Sequence, residues 1–415
     1  RVGLLTGDTN INSDADVLVM TTEVLRNMLY ANSSTLTNLG SVVMDEVHYL
    51  ADKFRGAVWE EVLIHLMESV QVISLSATVS NAEEFGEWLG EVRGSTEVIV
   101  SEIRPIPLYQ HVLIGNRLID LFVEPGRVNP EILGLEREAL RRVKTPRGRR
   151  DRYGDTENRL TRADIIDKLQ RENLLPAITF IFSRAGCDAA VKQCLQAGIK
   201  LTSAEERLEI ITTAQRYTQN LAEEDLEVLG YRDWLLALER GIAAHHAGLL
   251  PSFKGAVEDL FKRGLVKAVF ATETLALGIN MPARTVVLEK LTKWNGEAHV
   301  SITPGEYTQL TGRAGRRGID IEGNAVVLWS PTVDSATAAG LASTRTYPLR
   351  SSFTPSYNMS INLIARFGRE RARTSLESSF AQFQADKAVV GLAKQIRRNS
   401  EAMARLSEEV SCHLG

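Results

Sequence analysis

Short apolar runs that end in polar residues alternate with segments of helical spacing, and this rhythm constrains the fold more than any other feature. The runs lie at 1–5, 15–20, 42–44, 70–75, 177–182, 264–270 and 284–288. Residues 23–30, 58–67 (Val58, Val62, Leu66) and the stretch opened by Asn81 carry apolar residues at helical spacing. Runs so short and continuously apolar suit strands buried in a parallel sheet, and βαβ alternation places helices on both faces. The expected class is α/β. Two prolines in Arg104-Pro105-Ile106-Pro107 favour an extended connector and break the rhythm. The expected division is a first domain over 1–104, a connector with a basic insertion over 105–170, and a second domain over 171–346 with a helical insertion at 201–240. Short helices over 347–385 and a charged helix over 386–415 follow. The basic stretch 126–152 suits a solvated insertion better than a specific nucleic-acid contact.

The 415 residues are 44% hydrophobic and 24% charged, an ordinary globular balance, and the net charge of −4 excludes an overall basic coat while permitting a local basic channel. No apolar run approaches the ~18–20 residues that span a bilayer, and no signal peptide opens the chain, so no membrane partner and a cytoplasmic location are expected. Three cysteines fit a reducing compartment. Cys187 and Cys194 on one helix would stand ~10 Å apart, too far to share an ion, so they are expected to be structural. Without an initiator methionine, the chain reads as a piece of a longer protein.

One apolar run ends in Asp45-Glu46-Val47-His48. Ligands of open α/β sheets bind at the carboxyl ends of strands. A carboxylate pair there can hold a phosphate-bound Mg²⁺ and orient an attacking water; it can equally be a solvated acidic strand end. Ser76-Ala77-Thr78 ends the next run. In Gln309-Leu310-Thr311-Gly312-Arg313-Ala314-Gly315-Arg316-Arg317-Gly318, arginines three apart are expected on one helix face, with glycines keeping the surface open to a phosphate. Asn295-Gly296 between strand-like arms predicts a tight hairpin. No Gly-x-x-x-x-Gly-Lys-Ser/Thr phosphate loop occurs. Either the chain is not an NTPase or that loop lies upstream of Arg1.

These motifs stand in one order with Phe182-Ser183-Arg184, His245-His246-Ala247-Gly248-Leu249-Leu250-Pro251, 271–282 and Ser379-Phe380-Ala381-Gln382-Phe383-Gln384. Together they resemble the superkiller-type (Ski-like) DExH helicases of superfamily two, most of all the actinobacterial HelY-type members. The resemblance implies two RecA-like domains, the first incomplete here, clamping ATP and gripping single-stranded RNA, with the start of a winged helix from about 347 and of a stalk after 385. It implies that Asp45 holds Mg²⁺, with Glu46 beside it activating water. His48 would couple nucleotide state to nucleic-acid contacts through Ser76, Thr78 and Gln309. Arg313 and Arg316 would be arginine fingers, with Gly278 and Asn280 also near the nucleotide. Thr21, Thr22, Arg26, Ser183, Arg184, Thr272 and Thr274 would touch the nucleic-acid backbone, and Trp294 would stack on a base at a strand-separating hairpin unless that hairpin is a plain sheet edge. The implied activity is ATP-dependent, 3′-to-5′ unwinding of RNA duplexes with an overhang, in company with RNA-degradation machinery, and this chain alone is expected to be inactive. A DNA-repair helicase of a related branch and a non-catalytic nucleic-acid clamp are the alternatives.

Overall fold

The structure, a computed structural model, describes residues 1–389 except Phe54, Thr78, Glu102, 145–159, Leu277, Gly278, Asn295, Arg345 and Tyr347; beyond 389 it describes only Gln395, Asn399, Ser400, Ala402 and Met403. Most of the expected stalk, and residues 145–152 of the expected basic insertion, lie outside the described residues; the rest of that insertion is ordered as a strand and a helix. The chain forms two units, one of residues 1–102 and 346–415, the other of residues 103–345.

In the first unit, β1 (Val2–Leu5) pairs antiparallel with β2 (Asn10–Ile11) and parallel with β3 (Val17–Met20), which feeds α1 (Thr22–Tyr30). A separate parallel pair joins β4 (Ser41–Met44) to β5 (Gln71–Ser74), with α2 (Gly56–His65) between them and α3 (Ala82–Arg93) after. The single sheet expected here is thus two pieces. β4 turns Val42 and Met44 inward and leaves Val43 58% exposed, because only one face of the pair meets a buried cluster. That cluster joins Leu25, Val62, Leu63, Phe85 and Trp88 to Leu349 and Phe380. The later segment is therefore part of this unit: Trp88 Nε1 donates to the Ser378 carbonyl at 2.8 Å, and Asn81 Oδ1 accepts from Leu349 N at 2.6 Å. Within Tyr357–Glu377 two helices meet at a break at Gly368, whose φ of 78° and ψ of 166° are non-helical, so the short helices expected here are present.

The second unit is a seven-stranded sheet. Its strands in chain order are β6 (Leu108–Ile114), β7 (Arg117–Asp120), β10 (Ala177–Phe180), β11 (Ile242–His245), β12 (Ala268–Ala271), β13 (Thr285–Leu288) and β16 (Gly323–Leu328), and their spatial order is β11-β12-β10-β13-β16-β6-β7. All pairs are parallel except β6–β7. Small antiparallel pairs β8 (Phe122–Glu124) with β9 (Arg127–Val128), and β14 (Thr292–Trp294) with β15 (His299–Ser301), sit apart from it. Residues 108–120, expected in a connector, are two strands of this sheet. α4 (Pro130–Lys144) follows them.

Alternate residues of the central strands feed two cores. Ala177, Phe270 and Val287 pack with α5 (Arg162–Arg171) and α6 (Arg184–Gln196). Ile178, Val269 and Val286 pack with α7 (Ala204–Thr218), α9 (Tyr231–Glu239), α10 (Pro251–Lys262), α11 (Pro304–Thr311) and α12 (Ser335–Ser343). The short helix α8 (Glu223–Val228) lies between α7 and α9 in the chain. Cys187 and Cys194 are buried on α6, one turn-pair apart, and burial pushes both thiols up to about 12, so they are inert structural groups. Among the described residues, no helix is long and apolar enough to cross a membrane.

Candidate functional site

β4 delivers the acid pair. Asp45 leaves the strand exposed, and its Oδ1 accepts from Glu46 N at 2.9 Å. Glu46 adopts φ 53°, ψ 42°, a left-handed conformation that costs a non-glycine residue roughly 1–3 kcal/mol and tends to persist where function over-determines it. A 3₁₀ turn, Val47–Ala51, then buries His48 to 6% exposure. His48 Nδ1 accepts from the Ala77 N–H at 3.2 Å, so the ring proton sits on Nε2. Burial lowers the His48 pKa, with the Asp45 charge opposing, which keeps the ring neutral near pH 7. The 3.4 Å approach of Glu46 Oε2 to Nδ1 is therefore not an ion pair. Among the described residues, the link from His48 to the next strand end includes the Ala77 backbone. Ser76 is exposed, and Thr78 lies outside the described residues.

Thr21 precedes α1 in extended geometry without a side-chain cap, and Thr22 opens the helix. Arg26 stands 3.8 Å from Glu61 Oε2, which also accepts from Tyr30 Oη at 2.6 Å. Burial raises the Glu61 pKa, with these two partners opposing.

In the second unit Ser183, Arg184, Thr272 and Thr274 lie at the carboxyl ends of two neighbouring strands, β10 and β12, with the two histidines at the end of β11 beside them. Ser183 caps α6, its Oγ accepting from Gly186 N at 3.2 Å, and Arg184 is exposed beside it. Thr272 and Thr274 share a 2.9 Å hydroxyl contact after β12. At the end of β11, His246 Nδ1 accepts from Gly248 N at 3.2 Å, so Nε2–H faces Asp188 Oδ1 at 3.1 Å. His245 Nε2 meets Glu258 Oε1 at 2.9 Å; burial lowers its pKa, with Glu258 opposing. Asp188 and Glu258 are helical acids that no sequence motif connects to the histidines they meet.

Arg313 and Arg316 do not share a helix face. α11 ends at Thr311, with Gln309 half-buried in its last turn, and both arginines lie in the turns beyond. The glycines serve those turns, and Gly318 alone of the motif's three also faces open space. Gly315 has φ 88° and Gly318 φ 78°, and a Cβ on Gly315 would meet Ile106 Cγ2 at 2.6 Å. Arg313 Nη1 donates to the Ile279 carbonyl at 2.6 Å. Arg316 donates to Asp320 through Nε and Nη2, both at 2.8 Å. Asn280 is exposed; Gly278 lies outside the described residues.

The hairpin forms, its described register pairing Trp294 with His299; Asn295, on which the Asn-Gly turn depends, lies outside the described residues. Trp294 is 54% exposed, edge-on to His299. Lys293 anchors the arm, donating to Glu273 at 2.6 Å and lying 2.7 Å from Glu306, so the hairpin is tied to the turn after β12 and to the start of α11.

No cluster of three His, Cys, Asp or Glu side chains capable of caging a metal occurs among the described residues. The exposed Asp45 carboxylate suits Mg²⁺, which binds through one or two carboxylates and keeps its waters and phosphate ligands.

Residues 5–85 match the DEAD/DEAH box helicase family, and residues 189–318 match the helicase conserved C-terminal domain. The chain is 57% identical to a probable helicase HelY of Mycobacterium tuberculosis, over 99% of this chain and 46% of that protein. It is 38% identical to a chloroplastic DExH-box ATP-dependent RNA helicase of Arabidopsis thaliana (99% and 40%) and 37% identical to the exosome RNA helicase of Homo sapiens (96% and 39%). It spans less than half the length of these curated relatives.

Proposed function

This chain belongs to the superkiller-type (Ski-like) DExH-box helicases, and on that premise we propose that it serves an ATP-dependent RNA helicase that translocates 3′ to 5′ and opens duplexes with a single-stranded overhang. The observation that carries the reading is the neutral His48 joining the Glu46 turn to the Ala77 backbone. That bond makes the acid pair part of a device spanning two strand ends, which a merely solvated acid pair does not need.

Asp45 would hold Mg²⁺, whose bound form supplies charge neutralisation at the phosphates. Glu46, set in its left-handed turn beside Asp45, would orient the attacking water. Arg313 and Arg316 would supply cationic charge to the transferring phosphoryl group. Ser183, Arg184, Thr272 and Thr274 would hold the nucleic-acid backbone. Such contacts position a strand without reading its sequence. RNA rather than DNA is favoured by the two relatives named as RNA helicases. The name of the human relative also supports RNA-degradation machinery as a partner.

The test is ATP turnover of the full-length protein titrated with single-stranded RNA and, separately, with single-stranded DNA. Stimulation by RNA at lower concentration than by DNA is expected. Stimulation by DNA alone would move the reading to a repair helicase. Salt-sensitive RNA binding with no turnover at all would make it a clamp.

A further inference from the structure

Asp320 belongs to no motif singled out in the sequence, yet it receives three hydrogen bonds from one residue. Arg316 N and Nε reach its Oδ2 at 2.9 and 2.8 Å, and Arg316 Nη2 reaches Oδ1 at 2.8 Å. The Asp320 N–H returns a bond to the Arg316 carbonyl at 2.9 Å. Backbone and side chain of Arg316 are thus fixed by the same carboxylate. The Asp320 side chain is 5% exposed and the Arg316 side chain 21% exposed, so the acid is the more deeply buried of the pair.

The fork engages one edge of the guanidinium. Among the described residues, Nη1 takes no hydrogen bond, so the opposite edge is free to receive an oxyanion. The Arg284 charge also acts on Asp320, and Arg284 Nε is buried without a partner among the described residues. Two guanidiniums and one carboxylate leave the group with a net positive charge, so the pair with Asp320 does not cancel the attraction of Arg316 for a phosphate.

We propose that Asp320 is a positioning residue for phosphoryl transfer, holding Arg316 by its inner edge so that the outer edge meets the transferring group already oriented. This rests on the assignment of Arg316 as a phosphate-contacting cation. A planar fork fixes both the direction and the roll of the cation, which a single ammonium cannot reproduce.

The test uses the full-length protein with Asp320→Asn, Arg316→Lys, Arg316→Ala and the double variant Asp320→Asn/Arg316→Ala. Thermal melting checks that each folds. Asp320→Asn and Arg316→Lys are expected to lower kcat roughly ten- to a hundred-fold, the scale of a misplaced catalytic group. KM for ATP and the Kd for ADP should stay within a few-fold. Binding of ADP with aluminium fluoride, which mimics the group in transit, should weaken in step with kcat. The double variant should be no slower than Arg316→Ala. Unchanged kcat in Asp320→Asn while Arg316→Ala is slow overturns the inference and spares the role of Arg316. A rise in kcat overturns it by making Asp320 a lock. Normal turnover in Arg316→Ala removes the inference together with its premise. Arg316→Lys serves if Asp320→Asn does not fold; full activity there refutes the need for a fork.

Discussion

Glu60 offers the sharpest physical test of the first unit. It is fully buried on α2, and its carboxylate accepts from Ser351 Oγ and from the Phe380 N–H, the latter at 2.8 Å. It thereby ties α2 to the segment beyond residue 346. Burial raises its pKa to about 7, with the hydrogen bonds from Ser351, Phe380 and Ala381 opposing. A folded-state pKa above the unfolded value means that the folded state binds the extra proton. The stability contributed by protonated Glu60 is full below the unfolded pKa and is lost as pH rises through the folded one. Taking the shift from 4.5 to about 7, the contribution should fall by about 2–3 kcal/mol between pH 5 and pH 8. Glu60→Gln removes that titration, whatever its own fixed cost. The assay is thermal melting of wild type and Glu60→Gln across this range. The difference in stability between them should slope with pH, wild type losing ground as pH rises, by roughly 5–10 °C in Tm for the unit. Parallel pH profiles would refute the reasoning, because they would require a carboxyl group with the same pKa folded and unfolded.

Phe380→Ala should destabilise the first unit by about 3–5 kcal/mol and speed proteolysis between residues 346 and 389, since Phe380 is fully buried against Phe85 and Trp88. Gly315→Ala should cost about 1–3 kcal/mol in a denaturant melt, because both the positive φ and the Ile106 contact forbid a Cβ; a neutral result would mean that the turn can relax.

Much of the second unit was legible in the sequence because β10, β12 and β13 are buried on both faces, which leaves uninterrupted apolar runs. Leu108–Ile114 was hidden by the prolines before it and by its polar residues Gln110 and His111, which are half-buried near the sheet's end. The motif residues were legible as a set, but their geometry was not. Glycine density after α11 reflects positive φ and close packing, a backbone requirement that composition does not distinguish from exposure to a ligand. Asp188, Glu258, Asp320 and Glu60 were invisible for a common reason. Each acts through a partner distant in sequence or set by a turn, and such a pairing leaves no periodic signal.

On the function proposed above, the Asp45-Glu46-Val47-His48 turn would hydrolyse ATP to drive RNA handling. The most direct test compares RNA-stimulated ATP turnover by the full-length protein and by Glu46→Gln, with RNA binding measured in parallel. A water-orienting carboxylate should be worth about 10²–10⁴-fold in turnover, so hydrolysis should fall by that order while RNA binding in the presence of a non-hydrolysable ATP analogue persists. Turnover that survives the substitution would contradict the account.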